Sequence, residues 1–389
     1  MSAGEGPGAN GPRLEPYGHV GTPLFPAVTY DERAGGPYDY ARSQNPTRAA
    51  LEAEGARLEG AVGAFAFASG MAAITAVLLL LSPGDELLCT EDCQGGTTRV
   101  LDGLFARLGV RTRYVPTHDL DQVEKALTPA CRAILVENLS NPFLRFTDVA
   151  ALAARVRGRG VQVWVDNTLV TPALERPLEH GADLVLHSAS KYLSGHGDVM
   201  AGVVATRDPD LARRVAWLQN ATGTALSVEE SWLALRGLAT FPLRFAQSQA
   251  SAALLAPRIA SHPATAETVF PGLDSHPDHA LVAAHHGGFG AIVTFRLAHP
   301  GRREAMLASL RTIAVGPGSG STRTILGVME RHCHAPVPPD VRAARGIDAG
   351  LLRLSVGLEP PELLWSDLAR ALDEAGAPPL APGKSVAPS

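Results

Sequence analysis

Cysteine is scarce in this 389-residue chain, occurring only at Cys89, Cys93, Cys131 and Cys333. Four thiols are too few for a disulfide framework at this length. The three residues between Cys89 and Cys93 fit neither a zinc knuckle nor a thioredoxin-type pair. A reducing cytoplasm is the expected setting. A basic excess is also missing: 34 Lys and Arg against 39 Asp and Glu leave a net charge of −5, no footprint for nucleic acid. No long apolar run exists, the stretch Ala76–Leu81 falling far short of the roughly 20 residues that cross a bilayer, so no membrane partner is expected. Met1 to Arg13 is Gly- and Pro-rich with no apolar h-region, so it reads as a loose tail and not a secretory signal; Ala377 to Ser389 reads likewise. His332-Cys333-His334 and His285-His286 have no further carboxylate or cysteine at ligand spacing, so no metal is expected.

What is present is apolar residue, 46% against 19% charged, enough for a sizeable core. The length allows two domains or one large unit with an appendage. Residues 1–46 read as an extended N-terminal arm, and Thr47 to about Gly60 as an amphipathic helix. Alternating strand and helix signals follow at Ala64–Ala68, Met71–Leu81, Glu86–Cys89, Ala133–Glu137, Val149–Arg157, Val161–Val165 and Leu184–His187. That alternation predicts an α/β domain over 47–242 with a mostly parallel central sheet covered on both faces. From 243 to 376 the alternation weakens. Gly288–Phe295, Arg311–Val315 and Leu352–Val356 predict strands of a smaller C-terminal α+β domain, with 377–389 outside it. No repeat at solenoid period is evident.

The chemistry concentrates on Lys191, which lies 25 positions after Asp166 in Ser188-Ala189-Ser190-Lys191-Tyr192-Leu193-Ser194-Gly195-His196. Asp166 closes the apolar run Val161–Val165, the pattern of a buried strand that delivers an acid to the carboxyl edge of a sheet. A second run, Ala182–Leu186, feeds the Ser-x-Ser-Lys turn. Taken singly, a lysine after two serines is usually a solvated surface residue. Together, an amine, an acid and hydroxyls on neighbouring strand ends are the parts that hold pyridoxal 5′-phosphate. The amine forms the Schiff base, the acid pairs with the pyridine nitrogen, and the hydroxyls bind phosphate. Gly70 and Met71 follow Ser69 at a strand-to-helix turn with unpaired backbone N–H groups, although Ser-Gly alone is an ordinary turn in most proteins.

Asp166-Asn167-Thr168, the Ser188–His196 run, Ser69-Gly70-Met71-Ala72-Ala73 and Tyr40-x-Arg42-x-x-Asn45-Pro46-Thr47 occur together, with Glu137-x-x-x-Asn141-Pro142 and Arg353-Leu354-Ser355-Val356-Gly357-Leu358-Glu359. Over about residues 20–375 the chain resembles the Cys/Met-metabolism PLP-dependent enzymes: cystathionine γ-synthase, cystathionine and methionine γ-lyases, and O-acetylhomoserine sulfhydrylase. The resemblance implies a PLP-dependent aminotransferase-like (fold type I) architecture. It implies that Tyr40 and Arg42 reach the phosphate of a neighbouring subunit, making the protein a homo-oligomer with shared sites and, by the family pattern, a tetramer. It further implies that the Gly70 and Met71 N–H groups bind the phosphate, that Arg353 binds the α-carboxylate of an amino-acid substrate and that Asn141 sits near the phenolic oxygen of the cofactor. Independently, Arg353 in an apolar Leu-Leu-Arg-Leu-Ser run would be costly to bury without a partner.

Two departures bear on the reaction. Gln94, in Asp92-Cys93-Gln94-Gly95-Gly96-Thr97, stands where the family carries a Tyr that stacks on the ring and assists departure of the γ group. A glutamine amide can lie on the ring and donate a hydrogen bond but cannot transfer a proton, and such acid help is worth roughly 10²–10⁴-fold in rate. Val315 stands where cystathionine-handling relatives have an acid, so the resemblance predicts an apolar wall there and a short, uncharged substrate tail. Gly96 replaces the Cys usual in methionine γ-lyases, and Gly316-Pro317-Gly318-Ser319-Gly320-Ser321 replaces a Ser-Leu-Gly-Gly-like loop; Asn138-Leu139 replaces Thr/Ser-Pro. The expected activity is γ-elimination from a sulfur amino acid, a carbon–sulfur lyase using Lys191. The alternative is a γ-replacing transferase, possibly in a specialised pathway. An oxidoreductase built on Gly316-x-Gly318-x-Gly320 lacks the ribose-binding acid at the right spacing. A non-catalytic relative is opposed by the joint presence of Lys191, Asp166 and Arg353.

Overall fold

The computed structural model describes residues 21–376, so the two expected tails, 1–13 and 377–389, lie outside the described residues. Helix α1 (Pro46–Glu59) starts where Asn45 accepts hydrogen bonds from the Thr47 and Arg48 N–H groups, with Pro46 preset for the first turn. It stops at Gly60, whose φ of 62° is cheap only without a Cβ. Seven strands then build the first sheet: β1 (Gly63–Phe67), β2 (Glu86–Thr90), β3 (Arg111–Val115), β4 (Cys131–Glu137), β5 (Gln162–Asp166), β6 (Leu184–His187) and β7 (Gly202–Thr206). Their spatial order is β1-β7-β6-β5-β4-β2-β3. Strands β2 to β6 run parallel, whereas β7 is antiparallel to both neighbours. The alternation in β5 shows why the sheet is covered on both sides: Val163 and Val165 join one apolar core, and Trp164 joins the other.

A second sheet follows the long helix Phe241–Ala260. Its strands are β8 (Thr265–Val269), β9 (Ile292–Leu297), β10 (Ala314–Val315), β11 (Ile325–Val328) and β12 (Leu351–Ser355), in the order β10-β11-β12-β9-β8. One face packs Val293, Phe295, Leu326, Leu352 and Leu354 into a separate core with the helix Pro361–Gly376. Opposite faces of β12 therefore differ in kind. The Leu352/Leu354 face is apolar, while Arg353 and Ser355 point toward the first sheet's strand ends, where Arg353 meets Asn141 and Ser355 Oγ accepts from the Gly320 N–H.

Three of the differences from the sequence reading have a clear physical cause. The strand expected over Arg311–Val315 is reduced to Ala314–Val315, because the Asp367 carboxylate takes the N–H groups of Arg311, Thr312 and Ile313. The helix expected to Leu81 ends at Leu78, with Pro83 close behind. The polar edge strand β3 (Arg-Thr-Arg-Tyr-Val) was not foreseen; as an edge, only part of it is buried. Among the described residues no helix is long and apolar enough to cross a membrane.

Candidate active site

The first sheet's parallel strands end at one edge, and β4, β5 and β6 deliver Glu137, Asp166 and the Ser188–Lys191 turn there. Asp166 Oδ1 accepts from both the Thr168 N–H (3.1 Å) and the Thr168 hydroxyl, while Oδ2 has no partner among the described residues. The same hydroxyl oxygen accepts from the Ser188 N–H at 2.8 Å, so Thr168 fixes the acid and the serine relative to each other. Burial pushes the Asp166 carboxyl up, and the Thr168 hydrogen bonds and His187 oppose it. Its neighbour Glu137 is pushed well above the usual carboxylate range by burial and by Asp166. Both carboxyls are thus pushed toward the protonated form, and the charge of Asp166 is one of the causes acting on Glu137.

Helix α2 (Gly70–Leu78) opens at this edge. Ser69 caps it by accepting from the Ala72 N–H, and the Gly70 and Met71 N–H groups have no partner among the described residues. A Cβ on Gly70 would lie 2.8 Å from both Cβ and Oγ of Ser188, so only glycine lets the helix start close to the serine. Ser190 is partly committed, accepting from the Ala201 N–H at 2.8 Å and donating to the Ala201 carbonyl at 3.2 Å.

Lys191 has no side-chain hydrogen bond or ion pair among the described residues. Burial, then the charge of Arg353, lowers its ammonium below the ordinary lysine range, favouring the nucleophilic amine. The Gly-rich loop from the second sheet lies on its backbone: a Cβ on Gly320 would be 2.5 Å from the Tyr192 N and 2.8 Å from the Lys191 carbonyl carbon. Arg353 is buried and donates from Nη1 to Asn141 Oδ1 (2.7 Å) and from Nη2 to the Gly318 carbonyl (2.9 Å). Its Nε is buried without a partner. A guanidinium has five N–H donors, so three remain for a ligand.

The residues present fit pyridoxal phosphate. A free acid oxygen, an unpartnered amine, and two free N–H groups beside a serine match its ring nitrogen, aldehyde carbon and phosphate. Pyridoxal 5′-phosphate is the cofactor of the family to which the sequence and fold lead.

Other expected site residues stand elsewhere. Gln94 is exposed at the start of helix α3 (Gly95–Val100); its Oε1 accepts from the Gly96 N–H at 2.7 Å, and its own N–H donates to Glu137 at 2.7 Å. Its carboxamide is folded back as a helix cap. Tyr40 is exposed, and Arg42 donates to the Asn220 side chain (2.6 Å) and carbonyl (3.1 Å) of its own chain. Val315 is a correction. It pairs with Leu326, which pairs with Leu354, so the register puts Val315 on the apolar face, opposite Arg353. It is 46% exposed at the sheet edge. Gly327 is the β11 residue opposite Arg353, and the Gly316 carbonyl approaches it within 3.5 Å of an added Cβ. An apolar wall at Val315 therefore does not bound the substrate, and the argument against a charged substrate tail falls with it.

Sequence reasoning missed His334, whose Nε2 is 3.1 Å from the Asn141 carbonyl, and the structural use of Thr168. The sequence offers His334 only in a His-Cys-His run without further metal ligands, and its contact with Asn141 spans 193 positions that no local pattern reports.

Known proteins resemble this chain in sequence and in fold. Residues 10–373 match the family described as Cys/Met metabolism PLP-dependent enzyme. The chain is 39% identical to a cystathionine gamma-lyase of Bacillus subtilis, covering 92% of this chain and 96% of that protein. It is 40% identical to a cystathionine beta-lyase of the same organism, covering 92% of each. Among solved structures, a cystathionine gamma synthase of Xanthomonas oryzae pv. oryzae in complex with cystathionine superposes with a TM-score of 0.90 at 36% identity, over 92% of this chain and 94% of that one. A cystathionine gamma-lyase of Lactobacillus plantarum complexed with L-serine gives 0.89 at 37%, over the same shares. The fold is fold type I of PLP-dependent enzymes, and the chain belongs to the Cys/Met metabolism PLP-dependent enzyme family.

Proposed function

We propose that this protein is a carbon–sulfur lyase that performs γ-elimination on a sulfur amino acid, with cystathionine and methionine as candidate substrates. The observation that carries the reading is the unpartnered, desolvated Lys191 amine between the Asp166–Ser188–Gly70 cluster and the free donors of Arg353. Bound pyridoxal phosphate supplies the electron sink for the pair left at Cα. Arg353 holds the substrate carboxylate through its remaining N–H groups. The Lys191 amine, low in pKa, takes the Cα proton and can return it at a neighbouring carbon. Asp166, with its Oδ2 free, would face the ring nitrogen and hold a proton there. For cystathionine the balance is substrate plus water giving cysteine, 2-oxobutyrate and ammonia; for methionine the thiol is methanethiol. The register of Val315 leaves cystathionine eligible.

Gln94 favours a second reading, γ-replacement, in which a thiol displaces the γ group. Its Oε1 is tied to the Gly96 N–H, and an amide cannot protonate a departing thiolate. The sharing of sites belongs to the proposal as well. Gly70, Met71, Ser188 and Ser190 carry no positive charge, and a second copy presenting its Tyr40 and Arg42 would supply the cation a phosphate dianion prefers. The deciding assay incubates cofactor-saturated protein with L-cystathionine and L-methionine and measures 2-oxobutyrate, thiol and ammonia. All three in equal amounts support the lyase. Their absence, with a thiol-dependent product from O-acetylhomoserine, supports replacement.

A further inference from the structure

The three residues His332–His334, in the turn after β11, hold two segments of the site at once. The Cys333 carbonyl accepts from the Gly95 N–H at 3.1 Å, and a Cβ on Gly95 would come within 2.1 Å of that oxygen. Next to it, the fully buried His334 ring places Nε2 3.1 Å from the Asn141 carbonyl. A carbonyl can only accept, so Nε2 carries the ring proton. Nδ1 has no hydrogen bond among the described residues. The turn is braced from within: His332 Nδ1 accepts from the Val328 N–H at 3.1 Å, and the His334 N–H donates to the Met329 carbonyl at 3.1 Å. Burial and then the charge of Arg353 hold the His334 imidazolium down at about 4 against the opposing effect of the Asn141 and Cys93 carbonyls, so near neutral pH the ring carries one proton.

The far end of this contact is Arg353. Asn141 binds His334 through its backbone carbonyl and Arg353 through Oδ1, at 2.7 Å. If the Asn141 backbone moves, Oδ1 moves off Nη1 and the guanidinium turns about its one remaining anchor, the Gly318 carbonyl. We propose that His334 is a positioning residue for substrate recognition, its Nε2–H holding Asn141 so that Arg353 aims its free donors at the substrate carboxylate. The inference rests on the reading of Arg353 as the carboxylate site.

The test uses cofactor-loaded protein and two reagents that attack the same cofactor carbon, aminooxyacetate and methoxyamine, of which only the first has a carboxylate. The ratio of their rate constants, followed by the change in cofactor absorbance, reads carboxylate recognition without turnover. In His334→Gln the amide nitrogen reaches the place of Nε2; in His334→Asn it reaches only that of Nδ1. The expected ratio stays within about twofold of wild type for His334→Gln and falls about five- to tenfold for His334→Asn, the worth of one buried hydrogen bond. An unchanged ratio in His334→Asn would overturn the inference. So would an equal fall in both variants, or loss of folding or cofactor in His334→Gln, because the ring and not the donor would then be what the site needs. Arg353→Lys separates the two readings. A high ratio surviving there refutes Arg353 as the carboxylate site, whereas a fall there with none in His334→Asn refutes only the role of His334.

Discussion

The two halves of the site are built differently. The half proposed to hold the cofactor, with Asp166, Thr168, Ser188 and Gly70, stands on parallel strand ends and a helix start, and Thr168 ties Asp166 to Ser188 on the next strand. The substrate half is assembled from loops: Gly318 and Gly320 before β11, the turn at Cys333 and His334, and the Gln94–Gly96 corner, with Arg353 as its one strand residue. Strand ends are held by ladders and cores, so chemistry common to many reactions belongs there. Loops tolerate exchange, so under the proposed function the features that select a substrate are expected in the second half.

That contrast can be broken most severely at Lys191. Lys191→Ala should lower turnover by at least about 10⁴-fold, the upper range of lost acid–base help. Borohydride reduction and mass analysis should find a pyridoxyl group on Lys191 in wild type and none in the variant. Asp166→Asn should follow with roughly 10–100-fold lower turnover, the worth of a buried charged hydrogen bond, at an unchanged melting temperature. Gln94→Tyr tests the loop half in the opposite direction: 2-oxobutyrate release from cystathionine should rise, by ~10-fold or more if a phenol supplies the missing proton. No rise would remove position 94 from the account of leaving-group departure.

Smaller effects sharpen the comparison. Gly70→Ala drives a Cβ against Ser188 and should weaken cofactor retention on dialysis, with a strain of about 1–3 kcal/mol. The substrate half should also carry an acid sensitivity. His334 is depressed to about 4 when folded and regains about 6.5 when unfolded, so its neutral burial stabilises the fold fully above pH 6.5. As pH falls below 6.5 the unfolded chain takes the proton first. About 2 kcal/mol should be lost by pH 5, with no further loss from this group below pH 4. Urea unfolding at pH 7.5 and 5 should show a loss in His334→Gln smaller than that of wild type by about this amount, the remainder coming from the other depressed histidines, His118, His276 and His332.

The same contrast decides what the sequence made legible. Asp166 and Lys191 could be found because a buried strand announces its own end, through an apolar run and then a polar residue. Gly70 lies in a Ser-Gly step that is an ordinary turn in most proteins, so its reading leans on the family resemblance. The C-terminal strands were harder. The short β10 and β11 have no alternation long enough to read, and Asp367 intercepts the backbone that a longer β10 would need. Val315 was misjudged because one step of register turns a side chain to the other face, and a glycine-rich loop offers no anchor for counting. The hydrogen bond of Gln94 to Gly96 depends on a helix start that composition does not reveal.

Gly320 sets a limit on redesign. Its Cα lies against the peptide joining Lys191 and Tyr192 so closely that no side chain fits between them. A loop transplanted from a relative to change substrate choice would bring its own spacing to that contact, and the reactive amine would be displaced along with the new selectivity. Exchanges of this loop should therefore be made together with the Ser188–Gly195 turn, as one cassette.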